Sequence, residues 1–262
     1  MTAGASDEAF SLHGAVVQYG DVRALDGISL NITRGERVGI VGPSGGGKTT
    51  LLRLLNGMQA ATAGTVRALG YDIAVLGPAT LRELRARIGF VHQSHALVPV
   101  LRVIQNVVMG RAGRRSLLRS VRDMFFTSRD DTQAIHALLE RTGIPEKLYH
   151  RTSGLSGGQQ QRVAVARALF QQPEALLADE PVSSIDPARA RDTVDLLTRL
   201  SSEEGITLVM SLHNLELARE FFPRLIGLRH GRVVFDRPSA SLTGAEFTAL
   251  YSLSKDELLN DG

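Results

Sequence analysis

A chain of 262 residues, 43% hydrophobic and 22% charged, is long enough to bury a large α/β core and has the balance of an ordinary folded domain. Its net charge of +3 is too mild to argue for nucleic acid, and the lack of cysteine excludes disulfides, thiol catalysis and cysteine-ligated zinc. Asp7 and Glu8 stand where a signal peptide needs bases and then an apolar run, and no stretch reaches about 18 uninterrupted apolar residues, so any membrane connection is expected to come through a partner.

Residues 10–33 alternate in short strand-like pieces, Ala15-Val16-Val17 and Ile28 to Ile32, which predicts antiparallel pairing. Arg37–Val41 is a buried-strand run, followed by a glycine loop and a helix from Lys48 that closes at Gly57. A further strand piece, Ile88–His92, ends at Gln93. From about 96 to 153 the periodicity turns helical, with Val103, Val107, Val108, Ile135, Leu138 and Leu139 as its apolar positions and no clear strand. Strand and helix then alternate: Ala175–Ala178, a helix from about 187, Ile206–Met210, a helix from about 214, Leu225–Leu228, and a His230-Gly231 turn into Val233–Phe235. This predicts a βα core interrupted by a helical insertion, without internal repeats. Within the insertion, residues 111–122 carry five arginines and no acid, which reads as a solvated face or as a contact surface for an acidic partner or lipid head groups.

The chemistry is concentrated in a few short stretches and single residues. Gly42-Pro43-Ser44-Gly45-Gly46-Gly47-Lys48-Thr49 follows a predicted strand and opens a helix, the context of a phosphate-binding P-loop. Its glycines let backbone N–H groups approach phosphates, Lys48 reaches the β/γ oxygens, and Thr49 offers a hydroxyl to Mg²⁺, with Thr50 beside it. Asp179 and Glu180 end an apolar strand that has no structural need for adjacent acids; they are read as an Mg²⁺ ligand and the general base for an attacking water. His213 follows the next strand and is expected at the same sheet edge, while Gln93, at the join between core and insertion, is a candidate γ-phosphate sensor and metal ligand. Tyr19 and Phe10 are the aromatics before the P-loop, and Tyr19 is the favoured adenine stacker.

A further stretch is Leu155-Ser156-Gly157-Gly158-Gln159. Ser156 and Gln159 form a predicted capping box, and a helix N-terminus opened by Ser-Gly-Gly is an anion seat with no cation of its own. A chain that already has a complete cradle at 42–49 has use for such a seat if two copies dimerise and each completes the other's site.

With these motifs on the page, residues 10–253 resemble the nucleotide-binding subunits of ABC transporters, in family order. The resemblance implies that Tyr19 stacks on adenine, Gly42–Thr49 is the P-loop, Gln93 the Q-loop and 155–159 the signature; Asp179 and Glu180 become the magnesium site and base, Ser183 to Asp186 the D-loop, and His213 the switch histidine. Within the family the chain looks most like the phosphonate importer ATPases, through the runs at 96–113, SGGQQQRVAVARAL, LLADEPVSSIDP, GITLVMSLHNLELA and EFTALYSL. His92, Ser94 and His95 depart from that subgroup's usual aromatics and second glutamine, a change that bears on the permease contact; the D-loop reads Ser-Ser-Ile-Asp.

The resemblance implies an α/β P-loop ATPase core at about 8–95 and 165–236, with an N-terminal antiparallel β subdomain, a helical subdomain at about 96–164 and a short tail at 237–262. It also implies ATP and Mg²⁺ as cofactors and a homodimer. Two transmembrane permease subunits, an extracytoplasmic substrate-binding protein and a peripheral place on the cytoplasmic face of the membrane complete the expected assembly, with no nucleic acid. The cargo would be phosphonate, a related phosphorus oxyanion or another small solute. An accessory subunit of a cytoplasmic phosphonate-degrading complex is the alternative reading.

Overall fold

Two sheets share the strands of this protein: one is built from residues 8–72, and the other gathers its strands from residues 37–238. The computed structural model describes residues 7–182 and 186–251, with residue 117 described by its backbone alone. Strands β1 (Glu8–Tyr19) and β2 (Val22–Thr33) pair antiparallel. After β3 (Arg37–Val41) and α1 (Lys48–Leu55), β4 (Ala63–Ala68) and β5 (Tyr71–Asp72) complete a four-stranded sheet in the order β2-β1-β4-β5. The expected short pieces at 10–33 are two 12-residue strands. Register shifts within the pair, including one spanning Gly14 at φ +57°, break the two-residue alternation and make each strand read as fragments.

Helix α2 (Pro78–Arg87) then leads to β6 (Ile88–Val91). Strands β7 (Ala175–Ala178), β8 (Thr207–Leu212), β9 (Arg224–Arg229) and β10 (Arg232–Pro238) finish a six-stranded sheet in the order β10-β9-β3-β8-β7-β6. All its pairings are parallel except β9 with β10 at the edge. Every residue of β7 and β8 is buried, so these strands are apolar throughout rather than alternating. β4, β5 and α2 have no counterpart in the sequence reading. Ala63-Gly64-Thr65-Val66-Arg67-Ala68 offers few β-branched residues, and α2 buries only Leu84 and Ala86.

The helical insertion contains α3 (Val103–Val108), α4 (Leu117–Phe125), α5 (Arg129–Thr142) and the start of α6 (Gly157–Phe170). Val103, Val107, Ile135, Leu139, Val163 and Phe170 form its core, while Val165 and Leu169 on another face of α6 pack into the parallel-sheet core. One helix therefore belongs to both cores. An isolated bridge between Arg102 and Arg151 is the nearest thing to a strand among its described residues. Helices α7 (Pro187–Glu203), α8 (Leu215–Phe221) and α9 (Gly244–Tyr251) cover the parallel sheet, with Phe247 and Leu250 of α9 buried against it.

The arginine run is not the uniform face its sequence implies. Arg111 and Arg115 both pair with Asp131, at 2.9 Å each, and Arg115 also reaches Asp123 at 2.7 Å. Arg114 donates to the carbonyls of Ala86 and Gln172. These three arginines staple the insertion to itself and to the core, and the side chains of Arg119 and Arg122 are more than 60% exposed whereas those of Arg111 and Arg115 are mostly covered.

Candidate active site

Three neighbouring strands deliver the polar groups to one edge. β3 ends at Val41, β7 at Ala178 and β8 at Leu212, and the residues that follow are Gly42, Asp179 and His213. Parallel strands present the groups after their carboxyl ends together, the usual place for a ligand in such sheets. The loop from Gly42 is wedged under the end of β9. A Cβ on Gly42 would lie 1.9 Å from the Leu228 carbonyl oxygen, and one on Gly46 would lie 2.9 Å from the same atom. Gly47, at φ +102°, leads into α1, and a Cβ there would meet the Ala24 carbonyl oxygen at 2.7 Å. Pro43 is half-buried and Ser44 and Gly45 are exposed at the loop's tip, while Thr49 and Thr50 follow Lys48 in the first turn of α1.

Lys48 is buried, 4% exposed, yet its ammonium has three oxygens around it. Nζ donates to the carbonyls of Gly42 (2.8 Å) and Pro43 (3.0 Å) and lies 3.3 Å from Glu180 Oε1. His213 Nε2 stands 2.6 Å from that same carboxylate oxygen. Beside them, the Thr49 hydroxyl donates to Asp179 Oδ1 at 3.0 Å. The predicted Lys48, Thr49, Asp179, Glu180 and His213 thus form one connected cluster.

Ser211 joins that cluster and was missed by sequence reasoning. Its hydroxyl donates to Asp179 Oδ1 (3.0 Å) and accepts from the Glu180 backbone N–H (2.8 Å). Glu180 has φ +44°, a left-handed conformation rare outside glycine and strained for a long side chain. The bond from Ser211 helps to hold it there. A buried hydroxyl in an otherwise apolar strand is the signal that could have drawn attention to it.

The remaining predicted residues lie around this cluster. Gln93 is exposed in the turn after β6, next to the point where Asp179 N donates to the Val91 carbonyl at 2.9 Å. Tyr19 ends β1, is 48% exposed, and donates its hydroxyl to Gln59 Oε1 at 2.6 Å. Phe10 is fully buried, which removes it as an alternative stacking ring.

Ser156 caps α6 as expected. Its Oγ accepts from Gln159 N (3.4 Å), and Gln159 Oε1 accepts from Ser156 N (3.1 Å). Ser156 and Gly157 are exposed, and a Cβ on Gly157 or Gly158 would meet nothing within 4 Å. No hydrogen bond or ion pair among the described residues joins this turn to the 42–49 loop. Arg162, Arg189 and Asp192 line the same cleft as Ser156, Gly158 and Gln159, so charges of both signs stand beside the seat. Asp186 caps α7, accepting from Arg189 N at 3.1 Å and pairing with the Arg189 guanidinium at 3.2 Å. Ser183 to Ile185 lie outside the described residues.

A second cleft runs between the core and the insertion, lined by Met58, Phe90, His92, Met109 and Arg167 among others. Burial and the nearby Arg167 hold His92 below the ordinary histidine range. Among the described residues no helix is long and apolar enough to cross a membrane.

Comparison with known proteins places this geometry. A family model described as ABC transporter matches residues 25–183. The chain is 49% identical over 93% of its length to the "Phosphonates import ATP-binding protein PhnC" of Anaeromyxobacter dehalogenans (strain 2CP-C), and spans about half, 48%, of that longer relative. It is 45% identical over 95% of its length to the protein of the same name from Pseudomonas putida KT2440, spanning 91% of it. Among solved structures it is similar to the ATP-binding cassette MJ0796 in a dimeric post-hydrolysis state bound to ADP and Pi, with 31% identity, a TM-score of 0.77, and 89% of this chain and 100% of that one covered. It is also similar to cbiO1 from Clostridium perfringens, part of the ABC transporter complex cbiONQ, at 27% identity and a TM-score of 0.78, covering 98% of this chain and 94% of that one.

Proposed function

Because the chain belongs to the ABC transporter family, we propose that it is the ATP-hydrolysing, nucleotide-binding subunit of an importer for phosphonate or a related phosphorus oxyanion. The relatives' names carry the cargo. The hydrolytic part is carried by one observation: Lys48 Nζ and His213 Nε2 meet on a single oxygen of Glu180.

Lys48 here rests on the loop's carbonyls and on Glu180. The phosphates of ATP are stronger anionic partners for an ammonium. Drawing Lys48 to them leaves Glu180 with His213 alone and frees the carboxylate to take a proton from the attacking water, a contribution of roughly 10²- to 10⁴-fold. His213 holds the base in line. Thr49 Oγ1 and Asp179 Oδ1, hard oxygen donors 3.0 Å apart, suit Mg²⁺ and would hold it, with Gln93 as a further proposed ligand. When bound, the metal neutralises charge on the transferring phosphoryl group.

Tyr19 stacks on adenine. Ser156, Gly157, Gly158, Gln159 and Asp186 of a second copy close over the γ-phosphate. The helix N-terminus behind Ser156 offers about 0.3–2 kcal/mol to an anion, too little to carry the rate, so the turn positions phosphate and reports its presence. The dimer works as a peripheral subunit on the cytoplasmic face beneath two permease subunits, fed by an extracytoplasmic binding protein, with the Met58–Arg167 cleft as the permease contact.

Glu180→Gln tests the reading. The variant keeps ATP binding, hydrolyses on the order of 10²- to 10⁴-fold more slowly, and forms an ATP-dependent dimer visible in light scattering. Adding Ser156→Arg breaks that dimer while each P-loop still binds ATP. A double variant that dimerises as well as the single one rules out the shared site.

A further inference from the structure

The last described helix ends on the phosphate loop. Thr243 and Glu246 cap the start of α9: Glu246 Oε2 accepts from Thr243 N at 2.9 Å and Thr243 Oγ1 from Glu246 N at 3.4 Å. Phe247 and Leu250 are buried on the core face, and Phe247 meets the Phe235 ring edge-on at 5.9 Å. Arg229 holds the far end by donating to the Ala249 carbonyl at 2.8 Å. Tyr251 lies four residues after Phe247, so helical spacing puts it on the same face. Its ring packs against the core, and its hydroxyl accepts from the Gly42 backbone N–H at 3.1 Å.

Gly42 is therefore held from both sides. Tyr251 takes its N–H, and Lys48 takes its carbonyl at 2.8 Å. The two bonds differ in one respect. Lys48 gives up the carbonyl when its ammonium turns to phosphate, whereas nothing in that movement displaces the phenol. No side chain at position 42 could substitute for this support, since a Cβ there would lie 1.9 Å from the Leu228 carbonyl oxygen.

We propose that Tyr251 is a positioning residue of the ATPase, whose hydroxyl fixes the Gly42 amide and keeps the loop in its phosphate-receiving shape after Lys48 has left it. The proposal rests on the nucleotide-binding reading of the 42–49 loop. Burial and the neighbouring Glu180 charge raise the Tyr251 pKa, so the phenol stays neutral and adds no negative charge beneath the phosphates.

Tyr251→Phe in the full chain removes the hydroxyl and keeps the ring. Losing one neutral hydrogen bond to a part-buried amide should weaken both ATP and ADP binding by roughly 3- to 10-fold in calorimetry, with kcat little changed and the melting temperature near wild type. Tyr251→Ala should show the same affinity loss together with a lower melting temperature. A merely structural tyrosine would lower the melting temperature and leave affinity alone. Amide exchange on the glycine-labelled wild type gives a second readout: the Gly42 N–H should be protected, and Tyr251→Phe should remove that protection. Tyr251→Phe with wild-type nucleotide affinity, or an unprotected Gly42 amide in the wild type, overturns the proposal. Wild type that fails to bind Mg-ATP in the same assay overturns instead the nucleotide reading beneath it.

Discussion

Ser211 Oγ lies 3.0 Å from Asp179 Oδ1, and the same hydroxyl receives the backbone N–H of the next residue, Glu180, at 2.8 Å. One fully buried serine thus sets the side chain of the proposed metal ligand and the backbone of the proposed base. Ser211→Ala leaves a buried N–H unpaired and removes a donor from a carboxylate. The expected loss is about 1–3 kcal/mol of stability in chemical denaturation. Hydrolysis should suffer more than ATP affinity, because Glu180 loses the bond that supports its left-handed backbone. Unchanged stability and turnover would mean that the hydroxyl is dispensable.

His213 touches Glu180 but no part of the P-loop among the described hydrogen bonds and ion pairs. His213→Ala should therefore leave ATP affinity near wild type and lower kcat. Lys48→Ala should do the reverse first, abolishing nucleotide binding itself. Calorimetry paired with steady-state rates separates them. A His213→Ala protein with normal kcat would remove the histidine from the reaction.

Glu174 sits between Arg87 and Arg34, with contacts of 2.5 Å and 2.8 Å. Hydrogen bonds from Arg87 first, and then from Arg34, hold its pKa at about 2, against an ordinary value of 4.5. A depressed carboxylate stabilises the fold above its unfolded pKa and loses that contribution as pH falls through the folded one. The stability gap between wild type and Glu174→Gln should thus be full at neutral pH and should close between pH about 4.5 and about 2. Its size is trimmed by solvent, since the side chain is 38% exposed. Denaturation midpoints measured across that range check the sign, and a gap that widens on acidification would contradict it.

The two halves of the arginine run should behave differently. Arg115→Gln leaves Asp123 and Asp131, both nearly buried, short of a partner and should destabilise the protein by about 1–3 kcal/mol. The pair Arg119→Gln and Arg122→Gln should change stability by no more than about 0.5 kcal/mol, as surface substitutions do. Equal effects from both would return the run to a single uniform face.

The contrast between Lys48 and Ser211 shows what could be read in advance. Phosphate chemistry demands glycines, a lysine and a hydroxyl in adjacent positions, so the 42–49 loop carries its meaning locally. Asp179-Glu180 does the same, because two acids at the end of an apolar strand have no packing role. Ser211 and Tyr251 are ordinary residue types whose partners lie 32 and 209 positions away, and only the folded sheet brings them together. Arg111 and Arg115 looked solvated for a related reason: Asp123 and Asp131, which neutralise them, lie just beyond the run and on the next helix. The capping box at Ser156 was legible because both its members fall within one turn. The helical insertion followed from its periodicity, whereas α2, with few apolar positions, gave none to read.

The place of β3 between β8 and β9 also governs how the protein can be made. Val38 pairs with Val209 on one side and Arg224 on the other, so the strand that carries the phosphate loop finds both neighbours only among residues synthesised long after it. While the ribosome is still adding the insertion, Arg37–Val41 is an unclaimed apolar segment with two free edges, the kind of stretch that aggregates or engages a chaperone. A nascent chain stopped before residue 207 should be unable to hold a nucleotide, however complete its loop. Nucleotide competence is expected only after both β8 and β9 have emerged to pair with β3.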